Sequence, residues 1–507
     1  MSGVHPVGTR ALLVDLPDLD TVTAWHGSLS AAPLPGQTGV VAAARTVLLQ
    51  FSTSAHTRTA VEALRGFRPA AAAASTPKEV TVDVLYDGED LADLADTLGM
   101  SGQELVDWHT STTWVAAFGG FAPGFTYCAP QDASGALSVP RRDSPRTAIP
   151  AGAVGLAGGF SAVYPRTSPG GWQLIGTTAE RFWDADAEPP ALLAPGDVVR
   201  YRAVRDLAEV PRPTESGTPA NAPARPVLRL DDVGLQTLVE DLGRPGFGDL
   251  GVSASGAADR ASAVAANDAV GNRRGAGVLE NVGGLTLTAL VDTVVAVTGA
   301  QAPVSVGTRT VASGVPLLLT AGSRLSVGAA TAGLRSYVGV RGGIAGRSVL
   351  GSVSTDVMSG LGPAPLQDGD TVRAGEARGV VGASCASVRA PDEQPVVLRV
   401  VAGPRDDWFT DGVDALTGRT WQVSGASNRI GLRLTGEPVQ RARDGEIPSE
   451  GMLPGCVQVP PDGNSVVFLR DHAVTGGYPV IATVVPEDLD LAAQLAPGTE
   501  ITFQELL

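Results

Sequence analysis

Short apolar runs recur along the chain, each broken by glycine, proline or small polar residues. ALLVDL, TVLLQF and EVTVDVLY near the N-terminus have the aliphatic, β-branched character of strands, while HTRTAVEALRGF between them carries helical spacing. Strand and helix alternating in this way predict a small α/β domain over residues 1–85. GEDLADLADTLGMSGQELVDWHT places leucines at near-helical intervals and predicts two short helices. From there on the pattern is one of strands and turns. The fold class expected is mainly β, a small N-terminal α/β domain followed by β-domains.

Two stretches interrupt the apolar pattern. AEVPRPTESGTPANAPARP (208–226) is polar and proline-rich, and SVRAPDEQP (387–395) is a shorter version; both predict linkers. They divide the chain into 1–85, 86–207, 226–386 and 396–507, with linkers at 208–225 and 387–395. A weak internal repeat supports the division. APGDVVRY (194–201), QDGDTVRA (367–374) and APGTEITF (496–503) each set a turn before a β-favouring tail. WVAAFGGF (114–121), YVGVRGGI (337–344) and, less closely, VVFLRDHAVTGGY (466–478) each run a strand into a glycine pair. Three copies of one β-domain would produce this repetition; so would shared turn chemistry alone.

Composition narrows the function. Gly 63 and Pro 37 in 507 residues disfavour long helices. A net charge of −16 with no basic stripe argues against nucleic acid as a partner. The N-terminal MSGVHPVGTRALLVDLP has no uninterrupted apolar region, and Cys128, Cys385 and Cys456 show no CxxC spacing, so a reducing, cytoplasmic setting is expected. The single lysine, Lys78 in STPKEV, follows no Walker A glycines and has no biotinyl context. A P-loop and an attached biotin are both excluded.

FGGFAPGFTYCAP (118–130) gathers three glycines, two prolines and four aromatics in thirteen residues, in a chain only 5% aromatic. Glycine permits close backbone approach, proline fixes φ, and rings beside such a backbone suit a small planar ligand; the bland alternative is a turn whose rings fill a core. With VPRRDSPRTAIPAGAVGLAGG and YPRTSPGGWQLIGTT following in order, the stretch resembles the allophanate hydrolase subunit 1 family, which includes the B subunit of bacterial ATP-dependent 5-oxoprolinase. GRPGFGDLGVSASGAADRASAVAANDAVGN (243–272), GVRGGI with VLGSVSTD, SNRIGLRL, PSEG, GCVQVPPDG and TGGYPVIATVV resemble the companion subunit 2 family, which includes the C subunit. Related modules form the carboxyltransferase part of urea carboxylase, and others inhibit a sporulation kinase or antagonise that inhibitor. The resemblance implies cyclophilin-like barrels, one in the first half and two in the second.

Candidate site residues fall within these motifs. Phe125 and Tyr127 are expected to wall a pocket, with His109, just before the strand into that loop, as a proton shuttle or carbonyl donor. The glycine pairs Gly170–Gly171, before Trp172, and Gly476–Gly477, before Tyr478, could be anion-binding nests or merely barrel corners. With lysine nearly absent, Arg146, Arg341 and Arg429 are the candidate grips for carboxylate or phosphate. Asp356 and Glu450, in glycine- and serine-bearing loops, lead the acids, ahead of Asp259, Glu280 and Asp471, as bases or Mg²⁺ ligands; the metal ligands themselves are not assigned. Two departures from the family pattern stand out: the loop after Asp356 is shortened, and His472 replaces the usual arginine after Asp471.

The resemblance implies an enzyme component that uses ATP, with Mg²⁺, to open 5-oxo-L-proline to L-glutamate alongside a separate A subunit. Phosphorylation of the amide oxygen would create the leaving group that a five-membered lactam lacks. Two alternatives stand beside it: a carboxyl-transfer module using a biotin carrier in trans, and a regulatory protein whose barrels grip a kinase.

Overall fold

The computed structural model describes residues 3–70, 77–132, 134, 136–142, 144–207, 224–382 and 394–506. Cys385 and most of both expected linkers lie outside the described residues. The architecture is mostly β.

The N-terminal sheet is antiparallel, in the order Val4–Pro6, Ala11–Asp15, Thr46–Phe51, Gln37–Ala42, with helices Leu19–Ala31 and Ser54–Arg65. Asp18 and Thr53 cap those helices by accepting the N–H of Thr21 and His56. The runs ALLV and TVLL do not alternate because both faces of the sheet are covered. Leu12, Val14 and Leu49 face the helices, whereas Leu13 and Leu48 pack on Met452, Cys456, Phe468 and Val480 from the far end of the chain.

Strand Glu79–Val84, read from sequence as part of this domain, instead pairs in parallel with Val198–Ala203 at the edge of the next sheet. That seven-stranded sheet curls until its ends meet, where Leu85 and Thr177 exchange backbone hydrogen bonds of 2.9 and 2.8 Å. The two short helices appear as expected, Leu91–Leu98 and Gly102–Ser111, the latter opened by a Ser101–Glu104 capping box.

In the second half the predicted pair of barrels is only partly seen. Residues 225–374 form a seven-stranded and a five-stranded sheet around one core, with helix Arg260–Val270 against the second sheet. Strands between Val396 and Glu505 form a closed seven-stranded barrel. The repeated turn is real in the backbone: Gly196, Gly369 and Gly498 have φ of 97°, 90° and 88°, and each precedes the last strand of its sheet system.

Candidate functional site

The hairpin of Trp114–Gly119 and Thr126–Pro130 carries the ring-rich loop, and its rings do two jobs. Phe125 is fully buried and meets Tyr127, Tyr164 and Trp172 edge-on, with centroids 5.1–5.5 Å apart. It is the floor. Phe121, Tyr127, Tyr164 and Trp172 line a cleft of about 430 Å³ above it, and Val357, Met358 and Ile430 of the second half close the other side. Gly120 is needed because a Cβ there would lie 2.5 Å from Phe125 and 2.8 Å from Tyr127 ring atoms.

The cleft is basic and holds one donor in reserve. Arg166 donates to the Met358 carbonyl at 2.7 Å, so it ties the halves together while lining the cleft. Arg141 sits beside it and approaches Glu446 at 3.8 Å. Tyr164 is buried, and its hydroxyl, near the Trp172 N–H, has no hydrogen-bond partner of good geometry among the described residues. Burial holds its phenol well above the usual range, so it stays a neutral O–H donor. The sequence alone does not single out Tyr164, Arg166 or Arg141, although YPRT and PRRD, which carry them, lie in the family-like motifs.

Of the expected residues, the structure brings Tyr127, Trp172, Gly170 and Gly171 to the cleft with Phe125 beneath, and scatters the others. Neither Gly170–Gly171 nor Gly476–Gly477 has the positive φ that a nest requires. Gly170 is glycine because a Cβ would lie 2.3 Å from the Tyr164 hydroxyl. Gly476 pairs with Glu450, and Gly477 accepts from Ile447 N–H. Tyr478 is half-buried, close to Glu446, outside the cleft lining.

His109 is not in the cleft. It is fully buried, stacked on Tyr201 at 4.2 Å, with Nδ1 at 2.6 Å from the Tyr86 hydroxyl and Nε2 at 2.9 Å from Ser161 Oγ. Burial lowers its pKa to about 3, so it is a neutral structural group. Arg146 grips Asp90 with two N–H groups at 2.9 Å, and Arg341 donates to the Val270 and Gly379 carbonyls. Both are structural clamps.

Arg429 lies at the centre of a buried ionic cluster between the two β-units of the second half. It pairs with Asp471 at 2.9 and 3.0 Å, with Glu280, and with the Gly256 carbonyl at 2.7 Å. Glu240 approaches at 3.4 Å, and burial pushes its carboxyl well up. Asp356, also buried, accepts from Ser253 and from the Met358 and Ser359 N–H groups, shaping the loop that presents Met358 to the cleft. Burial and the nearby Asp471 raise its pKa. Glu450 is buried in a neighbouring cavity against Arg405. The isolated-residue reading failed for these groups because their partners come from remote segments. Among the described residues no cluster of three or more His, Cys, Asp or Glu is placed to hold a metal ion. None of their helices is long and apolar enough to cross a membrane.

Comparison with known proteins fits this arrangement. Residues 2–193 match the carboxyltransferase domain, subdomain C and D, and residues 250–505 match the carboxyltransferase domain, subdomain A and B. The C subunit of Escherichia coli 5-oxoprolinase is 36% identical over 286 residues, 55% of this chain and 90% of that protein. The B subunit of Bacillus subtilis 5-oxoprolinase is 42% identical over 125 residues, 24% of this chain and about half (51%) of that protein. The crystal structure of TTHA0988 superposes with a TM-score of 0.85 at 34% identity, covering 98% of this chain and 99% of that one. Urea carboxylase of Kluyveromyces lactis superposes with a TM-score of 0.50 at 29% identity, over 56% of this chain and 28% of that one. The chain belongs to the carboxyltransferase-domain family and is a fused homologue of the B and C subunits of 5-oxoprolinase.

Proposed function

We propose that the chain is the fused B and C component of an ATP-dependent 5-oxoprolinase, acting with a separate A subunit to open 5-oxo-L-proline to L-glutamate. The observation that carries the reading is the unpartnered Tyr164 hydroxyl at a ring-lined cleft beside two arginines. A small planar lactam lies flat against Tyr127 and Trp172. Its carboxylate pairs with Arg166, whose guanidinium is already fixed on the Met358 carbonyl. The Tyr164 O–H then donates to one lone pair of the lactam oxygen and holds the other towards the γ-phosphorus, where the new O–P bond forms as ADP leaves. Wall residues from both halves flank the slot.

ATP with Mg²⁺ supplies the phosphoryl group that makes the lactam oxygen a leaving group. The glycine pairs do not fit phosphate, having no nest; Arg141, at the cleft and only loosely engaged with Glu446, is the side chain suited to it. Mg²⁺ would arrive on the nucleotide, whose phosphate oxygens supply its ligands.

The test is reconstitution: purified chain, A subunit, 5-oxo-L-proline and ATP, scored for L-glutamate and ADP. ATP-dependent glutamate formation that needs both proteins is the expected result. The likeness to urea carboxylase favours one other reading, carboxyl transfer from a biotin carrier in trans. Avidin separates the two, since it should leave 5-oxoprolinase turnover untouched and abolish carboxyl transfer.

A further inference from the structure

We propose that a second cavity, between the N-terminal sheet and the closed barrel, binds a free zwitterionic α-amino acid. The cavity measures about 340 Å³, and its lining includes Arg45, Thr46, Arg405, Trp408, Arg443 and Glu450. It is separate from the cleft, with the Tyr127 hydroxyl and Ser449 Oγ, 3.4 Å apart, in the wall between them.

Two buried oxygens in this lining lack hydrogen-bond partners among the described residues. Glu450, 4% exposed, spends Oε1 on Arg405 Nε at 2.8 Å and on Nη2, while Oε2 has no hydrogen bond. Thr46, 2% exposed, leaves Oγ1 equally unmatched. Neighbouring backbone sets the two residues on adjacent segments: Ala44 N–H donates to the Ser449 carbonyl at 3.1 Å, and the short strand Glu450–Gly451 lies against Thr46–Phe51. Buried oxygens of this kind are costly unless an N–H or O–H donor meets them.

Charge decides which donor. Arg405 also holds Asp15, at 2.5 and 3.2 Å, so one guanidinium serves two carboxylates and the cluster has room for a further positive charge. His5, 2.9 Å from Asp15, is the other titratable group facing this carboxylate. An ammonium group satisfies Glu450 Oε2 and Thr46 Oγ1 together. Burial pushes the Glu450 carboxyl up, and an adjacent ammonium would favour its ionised form. The same cavity holds exposed Arg45, which gives one N–H to the Pro17 carbonyl and lies in the field of Asp18 without a direct ion pair among the described residues, leaving donors for a carboxylate. Arg443 is committed to Asp407 at 2.7 Å and lies over the Trp408 ring. Acceptors for an ammonium and a guanidinium with spare donors in one small cavity suit a zwitterionic amino acid.

Isothermal titration of the full chain with L-glutamate, glycine and glutarate tests this, with Trp408 fluorescence as a second readout. L-Glutamate is the product in the proposed reaction and glycine is not, so loss of that reading leaves this test intact. Amino acids should bind and glutarate, which has no ammonium, should not. Glu450→Gln and Thr46→Val should each weaken binding about tenfold or more. Thr46→Val carries the test if Glu450→Gln does not fold. Equal binding of glutarate, or unchanged affinity in the variants, overturns the proposal. So does the absence of heat with either amino acid at about 10 mM, which would leave ordered water as the partner of both oxygens.

Discussion

Among the described residues the buried Tyr164 hydroxyl has no well-aligned partner, the nearby Trp172 N–H included, and such a group destabilises the fold that holds it unless a ligand uses it. Tyr164→Phe should therefore separate function from stability. We expect turnover of 5-oxo-L-proline in the reconstituted assay to fall about 10- to 100-fold, with a melting temperature equal to or above the parent's. Unchanged kcat/KM would remove the hydroxyl from the mechanism. His109 makes the opposite kind of prediction. Its folded pKa of about 3 lies below the ordinary 6.5, so between those values the unfolded chain takes up a proton that the folded chain refuses. Its contribution to stability is complete above pH 6.5 and is lost as pH falls towards 3, at about 1.4 kcal/mol per unit. A thermal melt series from pH 7 to 4 should show the steeper decline in the parent than in His109→Gln, whose side chain does not titrate. Equal slopes would mean that His109 is protonated or exposed in the native state.

The ring-bearing hairpin is locked to a loop of the other half through bare backbone. A Cβ at Gly119 would fall 2.3 Å from the Asp249 carbonyl oxygen, and one at Gly251 would fall 2.3 Å from that of Ala122. Gly124 N–H also donates to the Leu250 carbonyl at 3.1 Å, and His26 pairs with Asp249 at 2.9 Å. Gly251 has φ 74° besides, so Gly251→Ala meets both strain and a backbone clash. It should cost more than about 2 kcal/mol in denaturant unfolding, whereas Gly196→Ala, with nothing within 4 Å, should cost only its φ strain. Equal losses would mean the interlock contributes nothing. This element also shows what was legible. The density of rings and breakers in FGGFAPGFTYCAP left a pocket wall and a core-filling turn both open, and both occur: Tyr127 lines the cleft with Trp172, while Phe125 is buried beneath it. The opposing wall was not readable, because Val357, Met358 and Ile430 are ordinary apolar residues brought in by tertiary packing. The arginines misled for a related reason. Arg146 and Arg429 look free in sequence, yet Asp90 and Asp471 from distant segments already neutralise them. Of the two readings open for the glycine pairs, the nest lacks its positive φ, and the steric one holds at Gly170, where a Cβ would lie 2.3 Å from the Tyr164 hydroxyl, but not at Gly171, whose nearest atom is 3.7 Å away.

At the scale of the whole molecule, the two halves form one packed body despite the proline-rich stretch between them. The N-terminal sheet shares a core with the closed barrel through Leu13, Leu48, Met452, Phe468 and Val480. A second apolar cluster joins Trp183 of the first half to Val252, Val349 and Leu361 of the second. Polar contacts cross as well: Arg405 to Asp15, Arg347 to Asp186 at 2.5 Å, and Arg166 to the Met358 carbonyl. Apolar burial of this kind does not depend on a covalent tether; the tether raises only the effective concentration of one half near the other. The cleft is completed by residues of both halves, so an intact interface is also what the proposed site requires. A protease site placed within 208–225 and cut after folding should therefore leave a complex that elutes as one species and keeps its turnover in the reconstituted assay. Adding Gly251→Ala to the cut chain should release the halves, since the backbone interlock is then lost along with the tether. Separation of the cut parent chain into two species at micromolar concentration would show that the shared cores are too weak to hold the site together, and that fusion itself is what maintains it.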